Sequence, residues 1–187
     1  TDSKTFYIDP YISLTGKKGS SHQLRSRIFY ADNDNGNDQS NKTNVYLAEY
    51  RFNREIISLG RLNVTSGAYF QQSFSQASLY AGSGSNKNTL ENYAAFIQLE
   101  KKLIKKLLVS AGFRAEYFEM NNKDAQLEPI LRAGLNYQLT EGTFIRCSYG
   151  QGYRYPTIAE KFIETGAGGI SVFPNPASDI LTIQSNL

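Results

Sequence analysis

Three consecutive segments, 91–101, 106–118 and 129–140, alternate apolar and polar residues almost without a break. Tyr93, Ala95, Ile97 and Leu99 share one face of the first, with Asn92, Gln98 and Glu100 on the other. The second places Leu107, Val109, Ala111, Phe113, Ala115 and Tyr117 opposite Leu108, Ser110, Gly112, Arg114 and Glu116. The third sets Leu131, Ala133, Leu135, Tyr137 and Leu139 against Arg132, Gly134, Asn136 and Gln138. A period of 2 sustained this long describes a strand with two unlike faces and cannot be met by a helix. Segment 22–31 repeats the pattern, with Leu24, Ile28 and Tyr30 opposite Gln23, Arg25 and Arg27. So does 44–53, where Tyr46, Ala48, Tyr50 and Phe52 oppose Glu49, Arg51 and Asn53. Weaker strands are expected at 5–14, where Pro10 intrudes, and at 62–80, and a last strand at 143–151. The expectation is an all-β chain of about eight strands joined as antiparallel hairpins.

The connections sort by length. Short turns are expected at 16–19, 102–105 and 141–142, and longer polar loops at 32–44, 82–88 and 120–127; apolar residues in 54–60 have no evident place. Outer-membrane barrels have this asymmetry, with short turns on one side and long loops outside the cell. A soluble sandwich has no reason to sort its loops, and would bury its apolar face under a second sheet. Charges at mid-strand, Arg114, Glu116, Arg132 and Arg146, would face water or an internal plug in a wide barrel. No apolar run approaches the ~18–20 residues of a spanning helix. With 13 Tyr, 11 Phe and no Trp, the aromatics suit interfacial girdles, although any strand favours them.

Several chemistries find no support. The net charge of +3 is small and its lysines and arginines are scattered, so no nucleic-acid partner is implied. Cys147 and His22 are each the sole residue of their type, which leaves no disulfide framework and no paired thiolate or histidine ligands; no cofactor is expected. The run 32–38 looks like a calcium loop, but its Gly36 stands at position five where six is required, so it reads as a turn built on Asx side chains. Gly150-Gln151-Gly152 lacks the third glycine and the βαβ setting of a nucleotide fingerprint. No nucleophile elbow accompanies His22, so the chain is not expected to be an enzyme. The lysines of 101–106 read as a solvated hairpin turn. Residues 1–9 lack the basic start and apolar core of a signal peptide.

The stretch 149–176 is different in kind. It is rich in Gly and Pro and reads as an ordered, turn-rich loop rather than a helix. Positions 148–161 read Ser-Tyr-Gly-Gln-Gly-Tyr-Arg-Tyr-Pro-Thr-Ile-Ala-Glu-Lys, followed by Gly168-Gly169 and by Phe173, Pro174, Asn175 and Pro176. This resembles the signature of Bacteroidetes-type TonB-dependent outer-membrane receptors, carried here by Gly150, Gly152, Tyr153, Pro156 and the Phe-Pro-Asn-Pro run. A looser likeness runs back through the strand-like segments.

The resemblance implies part of an antiparallel up-and-down transmembrane β-barrel of about 22 strands, closed in that family by an N-terminal plug. It implies a location in the cell outer membrane, contact with its lipid, and energy-coupled uptake of a scarce small ligand such as a ferric siderophore. Coupling to the TonB complex would run through a plug that these residues do not include. Residues 1–151 would be barrel strands, 152–176 an extracellular loop and 177–187 an atypical tail. Within the loop, Arg154, Tyr155, Glu160 and Lys161 are the candidates for contact with an anionic, aromatic ligand such as an iron chelate. The plainer reading is that Arg154 and Glu160 tie the loop down. Residues 172–183 resemble the opening of a type IX secretion sorting tail, with Ile180, Leu181 and Ile183 forming a short strand. That junction, and the small number of strands, lead to the expectation of a truncated or chimeric chain unable to transport alone. Two alternatives stay open: a small self-contained barrel with a structural or adhesive role, and a secreted soluble β-domain with a type IX sorting tail.

Overall fold

The computed structural model describes residues 2–35, 39–80 and 85–163, and the backbone of three short strands beyond them. Among these residues nine strands form one antiparallel sheet. They are β1 (Asp2–Ile8), β2 (Tyr11–Thr15), β3 (Ser21–Asp34), β4 (Asn41–Ile56), β5 (Leu62–Ala77), β6 (Lys87–Ile104), β7 (Leu107–Met120), β8 (Lys123–Gln138) and β9 (Phe144–Gly150). From β3 to β9 sequence neighbours are sheet neighbours, and β1 and β2 both pair with β3. This is the up-and-down antiparallel order that the alternation implies. Strands β3 to β8 run 14 to 18 residues, more than the ~9–11 that cross a hydrocarbon layer, so their ends extend past it.

The first strand is two strands rather than one, which is why the sheet holds nine and not eight. Pro10 has no N–H to give to a ladder, and the chain breaks at Asp9–Pro10; the Pro10 carbonyl still accepts from the Ser26 N–H at 2.9 Å. The expected loop at 120–127 is also corrected. Asn121 and Asn122 take φ of 56° and 55°, and β8 begins directly at Lys123. Two successive left-handed residues match the twist of the flanking strands, and asparagine tolerates that conformation. The Asn121 amide secures the turn, accepting from the Thr89 N–H at 2.8 Å and donating to Asn88 Oδ1 at 2.7 Å. The apolar residues of 54–60 find their place as well. β4 continues to Ile56, a 3-10 turn covers Ile57–Leu59, and the chain reverses at Gly60 and Arg61, both with positive φ.

Register carries the alternation across the whole sheet. Phe52, Ser66, Ile97, Phe113 and Leu131 form one cross-strand row, and Val64, Leu99, Ala111, Ala133 and Tyr149 form another. The opposite face carries rows such as Arg25, Glu49, Tyr69, Ala94 and Glu116. The burial is the reverse of a soluble protein's. Glu49 is 8% exposed on the inner face, whereas Phe113 is 45% exposed on the outer one, along with Ile97, Leu131, Leu135 and Tyr149. Large apolar side chains displayed in cross-strand rows need an apolar solvent.

Tyrosines mark one border of that solvent. On the outer face Tyr30, Tyr93 and Tyr117 each donate to a carboxylate two residues away, Asp32, Glu91 and Glu119, at 2.8 Å in every case. All three carboxylates lie toward the sheet end that carries the 35–40, 78–86 and 121–122 connections. Each ring thus stays with the apolar band while its hydroxyl reaches the polar side, the behaviour of an interfacial girdle.

Beyond residue 163, β10 (Gly166–Ala167), β11 (Ile170–Val172) and β12 (Ile183–Ser185) pair as a separate antiparallel sheet. Of the expected tail strand, Ile183 belongs to β12, while Ile180, Leu181 and the signature residues Phe173 to Pro176 lie outside the described residues.

Candidate functional site

The signature stretch forms a strap that leaves β9 and crosses the inner face. At its start Gln151 takes over the β8 ladder: its N–H donates to the Leu131 carbonyl at 3.0 Å and its Oε1 accepts from the Leu131 N–H at 2.8 Å. Gly150 pairs with Arg132, and Gly152 has open space where a Cβ would stand. Tyr153 then meets Phe118 at 5.6 Å between centroids, and its hydroxyl donates to Gln126 at 2.8 Å. Tyr155 stacks on the same Phe118 ring at 4.9 Å and 6°. Pro156 follows, and a proline biases the residue before it toward extended backbone.

The expectation of a loop without helix fails in the next residues. Ile158–Phe162 is a short helix, α1, because Thr157-Ile158-Ala159-Glu160 is a capping box. The Glu160 N–H donates to Thr157 Oγ1 at 3.2 Å, and the Thr157 N–H donates to Glu160 Oε2 at 2.8 Å. Ile158 enters a small core with Ala77, Tyr80 and Met120, which is 1% exposed, and Leu90, Tyr155, Phe162 and Ile163 pack around it. The strap is therefore anchored at its start by hydrogen bonds to β8, in the middle by stacking and at its far end by packing.

Of the sequence-predicted residues, the fold brings Arg154 and Glu160 into direct contact as an ion pair. The Thr157 backbone N–H, and then Arg154, hold the Glu160 carboxyl below its ordinary value. Tyr155 is spent on the Phe118 stack, and the Lys161 ammonium lies 5.9 Å from the Phe162 ring.

A second set of groups lies lower on the inner wall, where alternation indicated charge but not pairing. Arg25 donates to Glu49 Oε2 from Nε and Nη2 at 3.0 and 2.5 Å, and Arg51 reaches Glu49 Oε1 at 2.9 Å. Arg114 pairs with Glu116 and lies 5.6 Å from the Tyr69 ring and 5.7 Å from the Phe96 ring. Phe96 can lie there because position 67 is glycine: a Cβ on Gly67 would come within 2.5 Å of the ring. Arg25, Glu49, Arg51, Tyr69, Phe96 and Arg114 border a cavity of about 870 Å³ on the sheet's inner side. Sequence reading missed their pairing because it depends on register, which only the turns decide.

A family model described as TonB dependent receptor-like, beta-barrel, matches residues 2–180. No curated protein and no solved structure matches the chain.

Proposed function

The chain belongs to the TonB-dependent receptor-like β-barrel family, and on that premise we propose that it serves the energy-coupled uptake of a scarce ligand such as a ferric siderophore. Members of the family are outer-membrane transporters rather than enzymes, and the chain is an outer-membrane protein. The coupling partner in this reading is the TonB complex, reached through a plug inside the barrel. The observation that supports it is the inverted sheet, apolar outside and charged inside, crossed on the inner face by a packed strap. In this reading the strap presents Arg154, 73% exposed at its side chain, beside Tyr155, Glu160 and Lys161, to an anionic ligand.

Growth tests the proposal. Deleting the gene in its native host should abolish growth on at least one ferric chelate as sole iron source, with growth on freely available iron unchanged. Arg154→Gln, reintroduced at the same level, should weaken growth on that chelate. Undiminished growth of the deletion strain on every chelate supplied would remove the iron reading.

A further inference from the structure

We propose that the short-turn rim of the sheet docks onto anionic phospholipid headgroups, with Arg54 and Lys101 as the phosphate-binding pair at the edge of the apolar band. The two rims differ in charge. Taken with four residues on either side, the hairpin connections at 16–20, 57–61, 105–106 and 139–143 hold nine Lys and Arg against two carboxylates, Glu55 and Glu141. The connections at the other end, 35–40, 78–86 and 121–122, hold three against five on the same count. One end of the wall is therefore basic and the other weakly acidic.

Two of the basic groups stand on the lipid-facing side. Arg54 pairs in register with Val64, in the outer row that continues through Leu99 and Ala111. Lys101 follows Leu99 on the same face of β6 and pairs with Val109. Neither has a carboxylate partner among the described residues, and Glu55, on the same hairpin as Arg54, is already paired with Arg61. The Arg54 Nε is shut off from water and has no hydrogen-bond acceptor among those residues. Partial desolvation of an uncompensated guanidinium is costly, and an anion outside the chain would offset it. The Lys101 stem lies over the 57–61 turn, where a Cβ on Gly60 would meet its Cε at 3.3 Å and its Nζ at 3.5 Å. It thus runs toward the rim, as a lysine does when its stem stays in hydrocarbon and its ammonium seeks headgroups.

The turns themselves favour lipid over bulk water. Ile57 is 75% exposed, and Leu59, Leu103 and Ile104 are more than half exposed, each close in sequence to a lysine or arginine. Lysines alone would suit a solvated hairpin, but isoleucines and leucines at its tip would not. Apolar tips set among cations have the composition of a segment lying in a membrane interface, held by apolar burial and by attraction to anionic lipid. A phosphate diester offers the acceptor that a forked guanidinium takes, at the depth where the apolar band ends. The inner wall takes no part in this contact. The proposal rests on the outer-membrane placement of the sheet and not on uptake.

The test is lipid titration of the full chain in detergent micelles, read by native mass spectrometry, with circular dichroism confirming β-sheet in every variant. Phosphatidylglycerol should be retained more tightly than phosphatidylcholine. Arg54→Gln and Lys101→Gln should each weaken phosphatidylglycerol roughly fivefold, the worth of one cation near an anionic surface, and leave phosphatidylcholine unchanged. Lys87→Gln, on the outer face at the opposite rim, should bind as the parent does. Equal retention of the two lipids, or equal phosphatidylglycerol affinity in the parent, Arg54→Gln and Lys101→Gln, would overturn the proposal and leave these cations to a protein partner. So would displacement of phosphatidylglycerol by millimolar inorganic phosphate, which would make the pair a site for a soluble anion. The titration does not depend on the growth phenotype, so either reading can fail alone.

Discussion

Phe113 and Arg114 are adjacent in β7 and occupy opposite worlds. Phe113 is 45% exposed in a row of other apolar side chains. Arg114 lies against Tyr69 and Phe96, paired with Glu116. Among the described residues the outer face has no partner, and it depends on lipid. The inner face supplies its own partners through ion pairs, stacking and close approach. Tolerance to substitution should therefore follow solvent on one face and geometry on the other.

The largest effect is expected from charge on the outer face. Phe113→Arg or Leu135→Arg should destabilise the lipid-inserted state by about 2–4 kcal/mol near the midplane, read from urea titration in bilayers. On the inner face Gly112→Ala should cost under ~0.5 kcal/mol, since its Cβ would find nothing closer than 3.7 Å. Equal sensitivity at Phe113 and Gly112 would break the comparison.

Gly67→Ala sharpens it. Here an added Cβ would come within 2.3 Å of the Tyr50 carbonyl oxygen and 2.5 Å of Phe96, so the inner face should resist this one methyl by about 1–3 kcal/mol in the same assay. A neutral result would mean that Phe96 does not lie over this glycine.

The strap should respond more locally. Thr157→Ala removes half of the capping box and should weaken α1 by about 1 kcal/mol. Faster hydrogen exchange over 157–163 with unchanged exchange in β6 and β7 is the expected reading. The smallest effect is pH-dependent. The Glu160 carboxyl is held below its ordinary value, so its stabilising contribution is present above the unfolded value and is lost as pH falls through the folded one. Strap protection should be level near neutrality and decline in acid, and Glu160→Gln should remove most of that slope.

The strands of 91–140 were legible because one face meets lipid and the other does not, which writes a period of 2 into the residues themselves. Pro10 and the Asn121–Asn122 turn show what alternation leaves out. Each changes connectivity through one or two residues whose backbone preferences act over a shorter range than the pattern. The strap was recognisable by its resemblance and by its Gly and Pro content. Its helix was written in Thr157 and Glu160, a capping spacing obscured by the surrounding turn residues. The inner-wall pairs were legible only as charges, because Arg25 finds Glu49 across a register that turn geometry sets.

The opposition of the two faces is tested most directly by a spin-label scan of β7. Single cysteines at each position from 107 to 118, in a Cys147→Ser background, are labelled after reconstitution into bilayers. Accessibility to oxygen and to a water-soluble nickel relaxant is then measured. Labels at Val109, Ala111, Phe113 and Ala115 should favour oxygen, and those at Ser110, Gly112, Arg114 and Glu116 should favour nickel, alternating at every step. Accessibility that varies smoothly along the strand, or that peaks for nickel at Phe113, would contradict the lipid-facing assignment and with it the barrel wall.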